Sequence, residues 1–225
     1  MSDLKINNIT NRSGDNGPTI AGVSTVSSSA FMIMPSGNTE IRGASSGRAI
    51  VFVGATPSST TLIDAFNTAT SGNAFDFGDA SAARYNNGFG GCASATRGVI
   101  ADGTMMEYVV FSSGGGSNDF GDHRLGSSIS AGMGHAADGV RGLLAGGYVA
   151  PVNLGTIDFI NIATTGSSSL FGEFDDGSTG GYSPMASPTR AVFARAGQGI
   201  NYINFTTGGK TISFGSMTGD PRTGH

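Results

Sequence analysis

Short apolar runs recur along the chain, each opened by an arginine. They read Arg48-Ala49-Ile50-Val51, Arg97-Gly98-Val99-Ile100, Arg141-Gly142-Leu143-Leu144 and Arg190-Ala191-Val192-Phe193, at spacings of 49, 44 and 49 residues. A second apolar block follows each run: Ile63-Asp64-Ala65-Phe66-Asn67, Met106-Glu107-Tyr108-Val109-Val110, Ile157-Asp158-Phe159-Ile160-Asn161 and Ile200-Asn201-Tyr202-Ile203-Asn204. A third anchor is a Phe-Gly pair: Phe77-Gly78, Phe120-Gly121, Phe171-Gly172 and Phe214-Gly215. The second and third anchors share the spacings 43, 51 and 43. Three anchors holding their order across four copies define an internal repeat. Arg48 to Arg141 and Arg97 to Arg190 are both 93 residues, so the repeat is also two copies of a two-unit block. Units one and three carry the longer loops, at residues 55–62 and 148–156.

These blocks are rich in β-branched and aromatic residues and short enough for strands. Each unit offers four: the Arg-led run, the Ile-Asp block, the segment ending in Phe-Gly, and a glycine-rich stretch such as Gly88-Phe89-Gly90-Gly91-Cys92-Ala93. Turn residues separate them, among them Ser71-Gly72-Asn73, Gly114-Gly115-Gly116-Ser117, Gly166-Ser167 and Gly208-Gly209. No stretch combines a 3.6 period with caps, so almost no helix is expected. Four short strands per unit predict an all-β fold, a small β-propeller with units near 47–96, 97–140, 141–189 and 190–225. Only 10 residues follow Gly215, so the last unit is expected to lack its fourth strand. Residues 30–42 stand in phase to complete that last blade and remove an open edge. The alternative is an incomplete ring that closes on assembly with other copies. Residues 1–29 are polar and turn-rich, an expected attachment arm or tail ahead of a domain at 30–225.

Composition agrees with a turn-rich β chain. Glycine supplies 38 of 225 residues, there is no tryptophan, and charged residues make up 12%. Collagen is excluded because no G-X-Y period exists. A net charge of −4 with clustered apolar residues argues against full disorder. No basic stripe suggests nucleic acid, and no apolar run approaches the roughly 20 residues of a membrane span. The N-terminus Met1-Ser2-Asp3-Leu4-Lys5-Ile6 does not read as a signal peptide, and a lone Cys92 has no internal disulfide partner.

The candidate chemistry is sparse. The acidic position after Phe-Gly, Asp79, Asp122 and Glu173, becomes Ser216 in unit four. A ring of such carboxylates can be read as a cation site, but the spacing matches no calcium loop. The favoured reading is an Asx-type acceptor of backbone N–H bonds. The four arginines are read as bidentate partners of a carboxylate on a neighbouring blade, with an anion-binding surface as the alternative. Gly208-Gly209-Lys210-Thr211 mimics the end of a P-loop, but a strand follows it and Asn204 stands where a glycine is needed. His123, His135 and His225 show no ligand spacing. Glu173, Asp175 and Asp176 form the densest acidic cluster, and paired carboxylates for glycan hydrolysis are the less favoured reading of it. No catalytic, metal or cofactor residue is assigned.

Two repeated phrases carry a resemblance. Thr68-Ala69-Thr70-Ser71-Gly72-Asn73-Ala74-Phe75-Asp76-Phe77-Gly78-Asp79 and Ile157-Asp158-Phe159-Ile160-Asn161-Ile162-Ala163-Thr164-Thr165-Gly166 resemble kelch-like repeats of virion structural and tail-fibre-like proteins of marine cyanophages. The leader Asn7-Asn8-Ile9-Thr10-Asn11, with Gly17-Pro18-Thr19 and Phe31-Met32-Ile33-Met34-Pro35-Ser36-Gly37, resembles theirs too. Unit two departs from the pattern at Met105-Met106-Glu107-Tyr108 and His123-Arg124. The resemblance implies a non-enzymatic virion protein, assembled in many copies in a bacterial cytoplasm and docked to other virion proteins through the arm. It does not say which part of the particle; a tail-fibre or appendage module is the leading expectation, and contact with host surface glycans is a more specific version of it. The alternatives are a capsid decoration or head-fibre protein and, last, a carbohydrate-active tail enzyme. Neither nucleic acid nor membrane insertion is expected.

Overall fold

The computed structural model describes residues 47–52, 58–84, 90–102, 105–125, 131–175, 183–194 and 199–218. All regular structure in them is strand, and no helix occurs among the described residues. Sheet one is β1 (Arg48–Phe52), β2 (Thr60–Asn67) and β3 (Phe75–Arg84), antiparallel in that order. Sheet two is β4 (Gly91–Ala93), β5 (Arg97–Asp102), β6 (Met105–Val110) and β7 (Asn118–Asp122). Sheet three holds β8 (Ala131–Ala137), β9 (Arg141–Val149), the short β10 (Val152–Asn153), β11 (Thr156–Asn161) and β12 (Ser169–Glu173). Sheet four is β13 (Ser183–Ala186), β14 (Arg190–Ala194), β15 (Gly199–Asn204) and β17 (Ile212–Ser216). Between the last two strands, β16 (Gly209–Lys210) crosses over to pair in parallel with β12 of sheet three.

The glycine-rich strand pairs forward, with the next arginine strand, as Cys92 opposite Val99 shows. The structural units therefore begin one strand earlier than the arginine-led units read from sequence. The reason is a tight turn present three times. Ser94 Oγ accepts the Thr96 and Arg97 amides, Asp138 Oδ1 accepts those of Val140 and Arg141, and Ser187 Oγ accepts those of Thr189 and Arg190. Such a side-chain-closed turn holds its two flanking strands as antiparallel neighbours. We expect Asp138→Ala to lose about 1–2 kcal/mol in urea unfolding and Asp138→Ser to retain most of it, since serine closes the other two turns.

The forward pairing corrects one expectation. The last sheet is not short of a strand, because Ser183–Ala186 leads it, so no N-terminal segment is needed there. The sheet with three strands among the described residues is the first. Residues 30–42, expected to complete the last blade, and the arm at 1–29 lie outside the described residues.

The Phe-Gly pair marks a β-bulge repeated four times. Ile63 faces Gly78 but Asp64 faces Asp76, which leaves Phe77 as the extra residue. The same slip leaves out Phe120, Phe171 and Phe214. A bulge bends the strand and re-aims a side chain. Here it sends Phe77 and Phe120 into apolar cores, where they are buried. Those cores lie between consecutive sheets. Ile63, Ala65 and Phe77 of sheet one join Val109 of sheet two. Val99 and Phe120 join Leu144 and Ile160 of sheet three. Leu143 and Ile157 join Phe193 and Phe205 of sheet four. The architecture is one of nearest neighbours, each sheet stabilised by burial against the next.

Candidate functional site

The recurring residues converge on these sheet-to-sheet seams. Each arginine strand reaches the following sheet: Arg48 Nη1 donates to the Phe111 carbonyl, Arg97 Nη1 to Ala163 O at 2.8 Å, and Arg141 Nη1 to the Phe205 carbonyl. The neighbouring partner was expected to be a carboxylate; for Arg48, Arg97 and Arg141 the acceptor seen across the seam among the described residues is a backbone oxygen, and Arg190 has no sheet after it among them. The physical reason is that the turn after each second strand turns a carbonyl toward the preceding sheet, whereas the buried carboxylate of sheet three is held by another arginine. The guanidinium groups also lie over aromatic rings, Arg97 at 4.6 Å from the Tyr108 centroid and Arg190 at 4.9 Å from that of Tyr202.

Backbone bonds close the same seams. Gly115 N donates to Phe77 O and Gly166 N to Phe120 O, both at 2.7 Å. Ser117 N donates to Asp79 O, Ser168 N to Asp122 O, and Thr211 N to Glu173 O. The position after Phe-Gly thus serves through its carbonyl, which explains why Ser216 can replace an acid there. Its side chains do not take the expected turn role in the cases seen: Asp79 Oδ1 accepts the Thr61 hydroxyl at 2.7 Å, and Glu173 lies 3.6 Å from Lys210 Nζ. Asx turns are instead made by Asn67, Asp119, Asp138 and Asn161.

A buried carboxylate sits in two seams, on the receiving sheet's strand that pairs with its arginine strand: β6 for Glu107 and β11 for Asp158. Glu107 accepts the Ser81 hydroxyl and, at 3.2 Å, its amide. Asp158, 1% exposed, accepts Arg124 Nε at 3.1 Å and Nη2 at 2.9 Å and the Ser168 hydroxyl at 3.0 Å. His123 Nε2 stands 3.4 Å from the same carboxylate. Arg124 in that departure is therefore the cationic answer to Asp158, where unit one uses Ser81 against Glu107. Sequence reasoning aligned Asp64, Glu107, Asp158 and Asn201 without giving them a role. The available signal was an acid inside a β-branched strand, a placement that requires a partner.

His123 and His135 are both buried. Burial holds His123 below the ordinary histidine range, with Arg124 adding to the shift and Asp158 opposing it. Burial, aided by His123, pushes His135 down to about 3, and neither ring nitrogen has a hydrogen-bond partner among the described residues. The unfolded chain, at about 6.5, binds that proton more tightly. The stabilisation is complete above about pH 6.5 and is lost as pH falls toward 3. Urea unfolding at pH 5 should show about 2 kcal/mol less stability than at pH 7 from this group, at about 1.4 kcal/mol per unit. His135→Leu should remove that share of the slope.

A cleft of about 450 Å³ runs between β1 and the β4–β5 hairpin, lined by Ile50, Phe52, Cys92, Val99 and Phe111 among others. Its ionisable groups are Arg48, which donates to Phe111 O, and Cys92, whose thiol is pushed up to about 12 by burial. A thiol at that value is not a nucleophile near neutral pH. The acidic cluster resolves into an exposed group: Lys210 Nζ lies 3.6 Å from Glu173 and 3.8 Å from Asp175, and Asp176 lies outside the described residues. Gly208-Gly209-Lys210-Thr211 contains the two-residue strand β16 and leads into β17, and His225 lies outside the described residues. Among the described residues, no three His, Cys, Asp or Glu side chains group to hold a metal ion.

No protein-family model and no curated protein matches the sequence. Among solved structures, the crystal structure of the computationally designed Ika8 protein aligns at a TM-score of 0.46 and 13% identity, over 72% of this chain and 46% of that one. This chain thus spans less than half of the designed protein, and the likeness is too weak to carry an argument about fold or function.

Proposed function

We propose that the chain is a non-enzymatic structural component of a phage particle, a tail-fibre or appendage module built as a propeller-like array of kelch-like units. The observation that supports this is the seam built three times from the repeat residues. Arg48, Arg97 and Arg141, the Phe-Gly bulges and the buried acids all hold sheet to sheet. Side chains used in this way make a rigid β surface suited to presentation. In this reading residues 1–29 attach the module to other virion proteins, and assembly takes place in the bacterial cytoplasm. Mass spectrometry of purified particles tests it: the chain is expected in many copies, and particles that lack it remove the proposal.

A second reading adds host-surface glycan contact. The loop of unit three closes as a short hairpin, with Asn153 paired to Tyr148 and Val152 59% exposed. Loops on rigid scaffolds are where recognition concentrates. A glycan array is expected to show binding that Val152→Asp weakens; an array with no signal, together with a capsid location, moves the chain to the head.

A further inference from the structure

The two ends of the sheet array are the two halves of the seam that its interior repeats. At each internal seam a bulged strand presses on the turn of the next sheet. A Cβ on Gly78, Gly121 or Gly172 would fall 2.3, 2.6 or 2.0 Å from the backbone of Gly115, Gly166 or Gly209. At the sheet-four end the corresponding contact is open among the described residues: a Cβ on Gly215 would meet nothing within 4 Å.

Side-chain burial follows the same rule. Three residues after the bulged Phe, Ala80, His123 and Phe174 are 7%, 4% and 3% exposed, but Met217 is 38% exposed. Phe77 and Phe120 are 6% and 2% exposed and Phe171 is half-buried, but Phe214 is 56% exposed. On the receiving side, Val109, Ile160 and Ile203 are at most 3% exposed, but Phe66 is 36% exposed. Ser168 and Thr211 are buried, while Ala74 at the same position of sheet one is exposed.

We propose that a second copy of this chain docks head to tail, the Phe214–Met217 face of one copy on the Phe66–Ala74 face of the next. The chemistry matches the internal seams. Phe214 and Met217 meet Phe66, Thr218 is placed as Ser81 is for a carboxylate, here Asp64, and Arg190 is placed to reach the Thr68 carbonyl. The contact is heterologous, so it propagates until a ring closes or a filament forms. It rests on the seam geometry alone and not on the particle reading.

The test is the mass of the 225-residue chain in solution, with Met217→Glu as the donor-end variant and Ala74→Arg as the receiving-end variant. Both positions are exposed, and Phe214→Glu stands in if Met217→Glu fails to fold by circular dichroism. Wild type is expected at two or more times 22.6 kDa, and each variant alone at 22.6 kDa. A 1:1 mixture of the two variants is expected to form a heterodimer, because each retains the half the other lacks. A monomeric wild type, as when residues 1–46 cover an end, overturns the proposal. So does assembly that survives Ala74→Arg, or a mixture that stays monomeric.

Discussion

Asp158→Ala is expected to destabilise the chain by about 3–5 kcal/mol, the loss typical of breaking a buried ion pair from one side. The carboxylate is 1% exposed and takes two guanidinium bonds and one hydroxyl bond from Arg124 and Ser168. Removing it leaves Ser168, 5% exposed, without that acceptor and strands part of the Arg124 charge. The Arg124 side chain is 31% exposed, so water recovers some of its solvation and the loss lies toward the lower figure. Made in the Met217→Glu background, where end-to-end contacts are absent, Asp64→Ala at the same repeat position of sheet one should change stability by less than about 0.5 kcal/mol. A second signature separates a specific role from general damage. Asp158 raises the His123 pKa, so Asp158→Asn should move the His123 titration, followed by NMR, further down.

The second large effect is expected at Gly172. An alanine Cβ there would lie 2.0 Å from the Gly209 carbonyl oxygen, backbone that is itself held by the parallel pairing of β12 with β16. Neither side can give way without opening the seam between sheets three and four. Gly172→Ala should therefore lose about 3 kcal/mol, the upper range of overpacking, seen as a fall in the urea midpoint. Gly72→Ala is the control. It occupies the turn position of Gly209 in sheet one, has no contact within 4 Å, and should be neutral or stabilising by up to about 1 kcal/mol.

The strands were legible because strand signals are local. The Arg-led runs, the Ile-Asp blocks and the Phe-Gly segments became β1, β2 and β3 of sheet one and their counterparts in the other sheets. Pairing was harder, since it joins segments across a turn. The glycine-rich strand was assigned backward, although Ser94, Asp138 and Ser187 already carried the chemistry of a forward turn. The arginines were read as inter-sheet residues with the wrong class of acceptor, because a backbone carbonyl leaves no trace in a residue pattern. The Asp158–Arg124 pair was hidden for another reason: its two members are 34 residues apart, and Arg124 is a departure from the repeat rather than part of it.

The most direct test of a chain held by repeated seams is amide hydrogen exchange on the Met217→Glu variant, which removes end-to-end contacts. The amides of Gly115, Ser117, Gly166, Ser168 and Thr211 cross seams and should exchange only as their seams open. The equivalent amides of Gly72 and Ala74, on the face of sheet one that no other described sheet covers, should exchange at least a hundredfold faster. Equal rates in all four turns would contradict the account.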